Sequence, residues 1–284
     1  MRVLLFGASG FIGRHVQAAL ASAGAEVLAA GRGGPIRHDL VTGGPSTLVG
    51  LLGSYRPDVV VNCAGLLSGS TAELAGTNVL AVARLVDACS FLGMRLVCLG
   101  SAAEYGAVTE GRPSIEDDPC CPVGEYGATR LAATTLIRLA AEDGRLDGVS
   151  LRVFNPIGPG MPADTVLGRV LRQLPGGTVR VGPLGASRDF VDVRDVASAV
   201  TAAVYARQLT EPVLNVGSGV AVPTREPVRM LCAAAGFAGE LIEAEPAPAR
   251  SAGVDWIAAD LTRISTALSW HPAYTLESSI KELV

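Results

Sequence analysis

Val3-Leu4-Leu5-Phe6-Gly7-Ala8-Ser9-Gly10-Phe11-Ile12-Gly13 is the stretch from which the rest of the chain is read. Its apolar run at 3–6 predicts a short buried strand, and a helical pattern follows over 14–23. Gly7 permits the tight turn out of the strand. Gly10 carries no side chain to hold a pyrophosphate away from the backbone, and Gly13 lets the helix pack close to the sheet. The free N–H groups at the helix start then favour an anion. A glycine triplet alone is a weak signal. Between a strand and a helix it predicts a dinucleotide-binding turn, with Ser9, Phe11 and Ile12 counted beside the three glycines as cofactor-binding.

Outward from this unit, strand and helix signals alternate. Strands are expected at 26–30, 58–65, 95–99 and 149–154, and helices at 77–92 and 131–142. Near-continuous apolar strands separated by helices predict an α/β fold: a Rossmann-type doubly wound parallel sheet with a smaller C-terminal substrate-binding region. The rhythm changes after residue 155. Pro and Gly cluster at 156–162, helices are expected at 165–173 and 195–206, and 213–217 reads as a strand returning to the sheet. From 223 the pattern is mixed, with Pro246 and Pro248 marking a loop. The expected division is a dinucleotide-binding domain at 1–155, to which 187–220 partly returns, and a mainly substrate-binding region at 156–284. Ligands should sit at the carboxyl ends of the parallel strands.

Composition narrows the partners. The 284 residues are 49% hydrophobic with a mean hydropathy of +0.38, enough for a large core. The formal net charge is −4 and no basic block stands out, which argues against nucleic acid and anionic membranes. No signal-peptide pattern and no uninterrupted apolar run of ~18 residues is seen, so a cytoplasmic protein without a membrane span is expected. Cys63, Cys89 and Cys98 read as small buried hydrophobes, and Cys120-Cys121 as a loop pair. None has paired metal-ligand spacing, so no metal site is expected and reduced thiols fit best.

The end of the second strand carries Arg32 and no acid between Leu28 and Arg37. A cation there suits the 2′-phosphate of NADP, whereas an acid would bind the ribose hydroxyl of NAD. NADP(H) is therefore favoured and NAD(H) stays open; Asp39 and Leu40 are placed to flank the adenine. Ser101 follows the strand at 95–99, and Tyr126 and Arg130 share one helix face if a helix opens there. Carbonyl reduction needs these parts: a phenol to give a proton, a cation to favour the phenolate and a hydroxyl to polarise the carbonyl. Glu104 is expected as a rim carboxylate. His15 and His271 read as structural or surface residues.

Gly7-x-x-Gly10-x-x-Gly13, Ser101 with Tyr105-Gly106, and Tyr126-x-x-x-Arg130 resemble the extended short-chain dehydrogenase/reductases of the NAD(P)-dependent epimerase/dehydratase type. The resemblance covers nearly the whole chain. It implies that the loop carrying Ala64 and Gly65 passes the nicotinamide ribose and that Asn78 is the helix asparagine of that family. The stretches 152–160 and 188–196 are similar to its nucleotide-sugar enzymes, with Ile157 beside the cofactor and Asn155 and Arg188 on the substrate diphosphate. The implied activity is that of the 4-ketoreductases, such as the GDP-4-keto-6-deoxymannose reductases, with NADPH as donor and a sugar nucleotide as substrate. The family's usual lysine is here Arg130, a group that stays charged and cannot be a titrating link in a proton relay. Ala102-Ala103 stands where the family's 4,6-dehydratases carry an Asp-Glu pair, which argues against a dehydratase. A 4-epimerase with bound NAD, a reductase of a non-sugar ketone and a catalytically degenerate NADP-binding protein remain as alternatives. A homodimer through the helices at 77–92 and 126–142 is also implied.

Overall fold

The computed structural model describes residues 1–244 and 253–284; the turn expected at Pro246 and Pro248 lies outside them. Strand β1 (Arg2–Phe6) is followed by helix α1 (Phe11–Ser22), β2 (Glu26–Gly31), a two-residue β3 (Ile36–Arg37), α2 (Pro45–Tyr55) and β4 (Val59–Asn62). Next come α3 (Thr71–Leu74), a π-helical turn (Ala75–Leu80), α4 (Ala81–Leu92), β5 (Arg95–Ser101), α5 (Glu125–Glu142) and β6 (Gly148–Val153).

These strands form a seven-stranded parallel sheet in the order β10-β6-β5-β4-β1-β2-β3, with β10 (Val213–Val216) added from the second half of the chain. Side chains alternate across β1 as its period of two requires. Val3 and Leu5 join one core with Val16 and Leu20 of α1 and Val196 and Val200 of α7 (Val193–Tyr205). Leu4 and Phe6 join the other with Leu48 and Leu52 of α2, Leu85 of α4 and Ile137 of α5. Helices therefore cover both faces, which is why the strands are apolar throughout. β1 pairs with β2 on one side and β4 on the other. The chain reverses its direction of travel there, and the crevice of such a sheet opens at that point.

The remaining elements are β7 (Asn155–Ile157), α6 (Val166–Gln173), β8 (Thr178–Val181), β9 (Ser187–Asp192), β11 (Ala221–Pro223), α8 (Arg225–Ala234), β12 (Glu240–Glu243), α9 (Thr262–Leu268) and α10 (Leu276–Lys281). β11-β9-β7 make a small three-stranded sheet and β12-β8 a two-stranded one. A separate core containing Leu167, Val179, Phe190, Val228, Leu231 and Ile280 holds this part together.

Several elements differ from the sequence reading. α2, for which the sequence reading has no element, begins at a proline, which suits a first helical position because its missing N–H would be unpaired there anyway. α5 starts at Glu125, six residues earlier than the apolar pattern suggests. Helix 71–92 is apolar and long enough by length and composition to cross a bilayer, but Val82, Leu85, Val86 and Cys89 pack against the sheet.

Candidate active site

The glycine turn is closed by close contacts. Gly7 has φ +79°, and a Cβ there would lie 2.5 Å from the Ala64 nitrogen, so the loops after β1 and β4 touch. A Cβ on Gly13 would lie 2.0 Å from the Gly7 oxygen, which is how α1 comes so near the sheet. Gly10 is the N-cap of α1 and no side chain caps the helix. The first N–H groups of α1, around Phe11 and Ile12 behind Ser9, are thus left for another acceptor. A bare cradle ending in uncapped N–H groups fits a dinucleotide pyrophosphate.

At the end of β2, Arg32 and Arg37 are both exposed, and Arg37 pairs in register with Gly31. The Asp39 carboxylate accepts from the Val41 N–H at 2.8 Å and the Thr42 N–H at 3.3 Å. These bonds, with the charge of Arg32, hold it below the usual carboxylate range. Leu40 is buried. Arg84 of α4, which the sequence did not single out, donates to the carbonyls of Leu40, Val41 and Gly43 and fixes this loop.

Ser101 ends β5 and Tyr126 lies in the first turn of α5, with Arg130 one turn on. The two segments meet because Gly127 is bare: a Cβ there would sit 2.4 Å from the Ala103 oxygen. Ser101 Oγ accepts from the Ala103 N–H at 3.2 Å. Arg130 is buried, its guanidinium carbon 5.4 Å from the Tyr126 ring centre. Its Nη1 donates to the Leu99 carbonyl at 3.2 Å, and its Nη2 occupies the space a Cβ on Gly65 would need. Its Nε is buried and has no hydrogen-bond partner among the described residues. Burial raises the neighbouring Cys63 thiol and pushes Cys98 up to about 12. Both stay neutral, so neither thiol supplies a countercharge. A phenol and a fixed cation therefore lie together on α5, which packs against the turn that follows Ser101.

Asn78 is fully buried and its amide is engaged within the chain. It accepts from the Leu66 N–H at 2.9 Å and donates to the Leu66 carbonyl at 2.9 Å and to Thr129 Oγ1 at 3.1 Å. It locks the Ala64-Gly65-Leu66 loop to the π-turn and α5. Asn155 and Arg188 lie on the small sheet, where Asn155 pairs with Phe190. Asn155 donates to the Asp189 carbonyl at 3.1 Å, and Arg188 to the Ser187 and Val254 carbonyls at 2.9 and 2.6 Å. Ile157 is buried, pairs with Asp192 of β9 and belongs to the separate core of the second half.

Glu104 corrects the sequence reading. It is no rim carboxylate: it is 0% exposed and paired with Arg152 at 2.8 Å. The acids of the 188–196 stretch are also structural. Asp189 accepts from the N–H groups of Ser218, Gly219 and Ala259. Asp192 pairs with Arg194 at 2.8 Å, and Asp195 accepts from the Ala273 and Tyr274 N–H groups. His15 donates from Nε2 to the Pro159 carbonyl at 3.0 Å, and Arg14 to that of Gly160 at 2.9 Å; contacts between residues this far apart leave no mark in local sequence. Among the described residues, no group of three or more His, Cys, Asp or Glu is placed to hold a metal.

Residues 3–217 match the NAD dependent epimerase/dehydratase family. The chain belongs to this family. Similar members include the dTDP-6-deoxy-L-talose 4-dehydrogenase (NAD(P)(+)) of Kitasatospora kifunensis, 37% identical over 99% of this chain and 94% of its own length. The GDP-6-deoxy-D-mannose reductase of Pseudomonas aeruginosa is 30% identical over 100% of this chain and 96% of its own. Among solved structures, MoeE5 in complex with UDP-glucuronic acid and NAD superposes with a TM-score of 0.89 at 30% identity, covering 100% of this chain and 97% of that one. As an epimerase/dehydratase family member of the extended short-chain type, the chain is an NAD(P)-dependent oxidoreductase.

Proposed function

We propose that this enzyme reduces the keto group of a nucleotide-linked 4-keto-6-deoxy sugar with NADPH. The observation that carries the reading is the Arg130 guanidinium beside the Tyr126 ring on a helix packed against the Ser101-Ala102-Ala103 turn, with the Glu104 carboxylate paired into the core. One phenol is then the proton donor, and Ala102-Ala103 supplies no acid pair for elimination. The similar dehydrogenase and reductase both act, by name, on 6-deoxyhexoses linked to a nucleotide. Oxidation of a 4-hydroxyl and reduction of a 4-keto group are one reaction in two directions.

In this reading NADPH, when bound, supplies the hydride. Ser101 donates a hydrogen bond to the carbonyl oxygen, Tyr126 gives that oxygen its proton, and Arg130 stabilises the phenolate left behind. Arg130 also turns its spare Nε–H toward the ribose. Arg32, with Arg37 beside it, binds the 2′-phosphate, which supports NADPH over NADH. Asn155 and Arg188 grip the substrate diphosphate, and the region 156–284 surrounds the sugar. The protein is cytoplasmic and dimeric; exposed Leu80, Phe91, Leu136 and Leu139 on and beside α4 and α5 support pairing through these helices. Sedimentation velocity showing only monomer would reject the dimer.

The test is oxidation of NADPH by the purified protein with GDP- and dTDP-linked 4-keto-6-deoxyhexoses, with NADH in parallel. Turnover selective for NADPH and abolished by Tyr126→Phe is the expected result. Silence with every such sugar, despite tight NADPH binding, overturns the reading. Nucleotide retained through desalting, with turnover needing no added cofactor, would instead favour a 4-epimerase.

A further inference from the structure

Behind Ser101 lies a buried polar cluster that none of the expected roles uses. Glu104 Oε1 accepts from the Ser101 backbone N–H at 2.8 Å and from Thr134 Oγ1 of α5 at 3.0 Å. Its Oε2 accepts from Arg152 Nε of β6 at 2.8 Å. Thr134 is in turn 2.8 Å from Ser150 Oγ of β6. Arg152 Nη1 donates to the Tyr105 hydroxyl at 3.1 Å and to the Glu116 carbonyl at 3.0 Å. Tyr105 donates to Asn215 Oδ1 of β10 at 2.7 Å. One carboxylate thus joins the end of β5, the middle of α5 and β6.

We propose that Glu104 is a positioning residue, whose carboxylate, balanced by Arg152, fixes the Ser101 backbone against α5 so that the Ser101 hydroxyl and the Tyr126 phenol address the same oxygen. Net stability does not explain the pair. A buried ion pair can often be replaced by apolar side chains of similar size without loss of stability. What an apolar pair cannot do is accept from the Ser101 N–H. A carboxylate takes a main-chain N–H, a hydroxyl and a guanidinium at once, whereas a glutamine would turn an N–H₂ toward one of them. Thr134 stands one turn beyond Arg130, so the same carboxylate that holds Ser101 also holds the helix that presents Tyr126. The inference rests on the reading of Ser101 as the group that orients the substrate carbonyl.

The test uses Glu104→Gln in the intact chain and in a Ser101→Ala background, together with the apolar pair Glu104→Met/Arg152→Met. Glu104→Gln should lower kcat about 10- to 100-fold with NADPH affinity unchanged, and by less than about 2-fold once Ser101 is already alanine. The Met/Met pair should remain folded by circular dichroism at the assay temperature and still lose kcat, which separates positioning from unfolding. Hydrogen exchange followed by mass spectrometry should quicken at 99–105 in both variants and remain unaltered in β1 and α1. An equal loss in both backgrounds, full kcat in the Met/Met pair, or unchanged exchange at 99–105 overturns the proposal. If the parent turns over no nucleotide-linked keto sugar, the substrate reading fails, and the exchange measurement still decides whether Glu104 holds Ser101.

Discussion

Arg130 shows what a single residue decides in this site. Its guanidinium is held by the Leu99 carbonyl and lies over the bare backbone of Gly65. It offers a permanent charge in one orientation, where a lysine would offer a mobile point charge. Tyr126→Phe removes the only proposed proton donor and should cost about 10²- to 10⁴-fold in kcat, with NADPH binding measured by fluorescence unchanged. Replacing Arg32 with serine should shift the ratio of kcat/KM for NADPH over NADH toward NADH by about 10-fold or more, the worth of one charge-assisted hydrogen bond; an unchanged ratio would remove Arg32 from the cofactor site. Ser101, Tyr126 and Arg130 were legible because each is marked by its place after a strand or within a helix turn. Glu104 was not, because its partner Arg152 stands far along the chain. A glutamate beside a loop looks solvated until the strand order is known.

α1 shows what an element contributes. Its approach to β1 depends on Gly13, where an added methyl would meet backbone and not a side chain that can swing away. Gly13→Ala should therefore destabilise the protein by about 1–3 kcal/mol, as overpacking of a tight site does, and weaken NADPH binding, both readable in thermal melts with and without NADPH. A melt unchanged in either condition would mean that the helix can shift without consequence. The β1–α1 unit was plain in the sequence because strand, glycines and amphipathic pattern agree. α2 was hidden by the glycines and proline at its start. The π-turn at Ala75–Leu80 leaves no periodic mark that distinguishes it from an ordinary helix.

At the scale of the whole molecule, acids tie the C-terminal elements back to β9 and α7. Asp192 caps α7, pairs with Arg194, and accepts from Ser279 of α10 at 2.6 Å. Arg194 also pairs with Glu282 at 2.6 Å and stacks on Tyr274, 3.7 Å from its ring centre. Burial opposes the charged form of Asp192, but the hydrogen bonds from Arg194 and Ser279 outweigh it and hold the carboxyl below its ordinary value. A depressed folded-state value means that the stabilisation is present above the unfolded value of about 3.9 and fades as the pH falls through the folded one. Asp192→Asn should cost about 2–3 kcal/mol in urea melts at pH 7, and its deficit should shrink below about pH 4. A deficit independent of pH would assign the effect to packing alone. The sequence was least informative here: from residue 223 the elements are short, and their partners come from distant β9 and α7. Local periodicity carries no record of such contacts.

α1 also grips the loop that leaves β7, through Arg14 on the Gly160 carbonyl and His15 on that of Pro159. The helix whose first turn is proposed to face the pyrophosphate is therefore fastened, on its next residues, to the chain leading into the second half. Through these two contacts, binding at one end is expected to favour binding at the other, and such linkage runs equally in both directions. Titration calorimetry with NADP⁺, which cannot reduce the keto sugar nucleotide, should find each ligand tightening the other by the same factor. Arg14→Ala should bring that factor close to one.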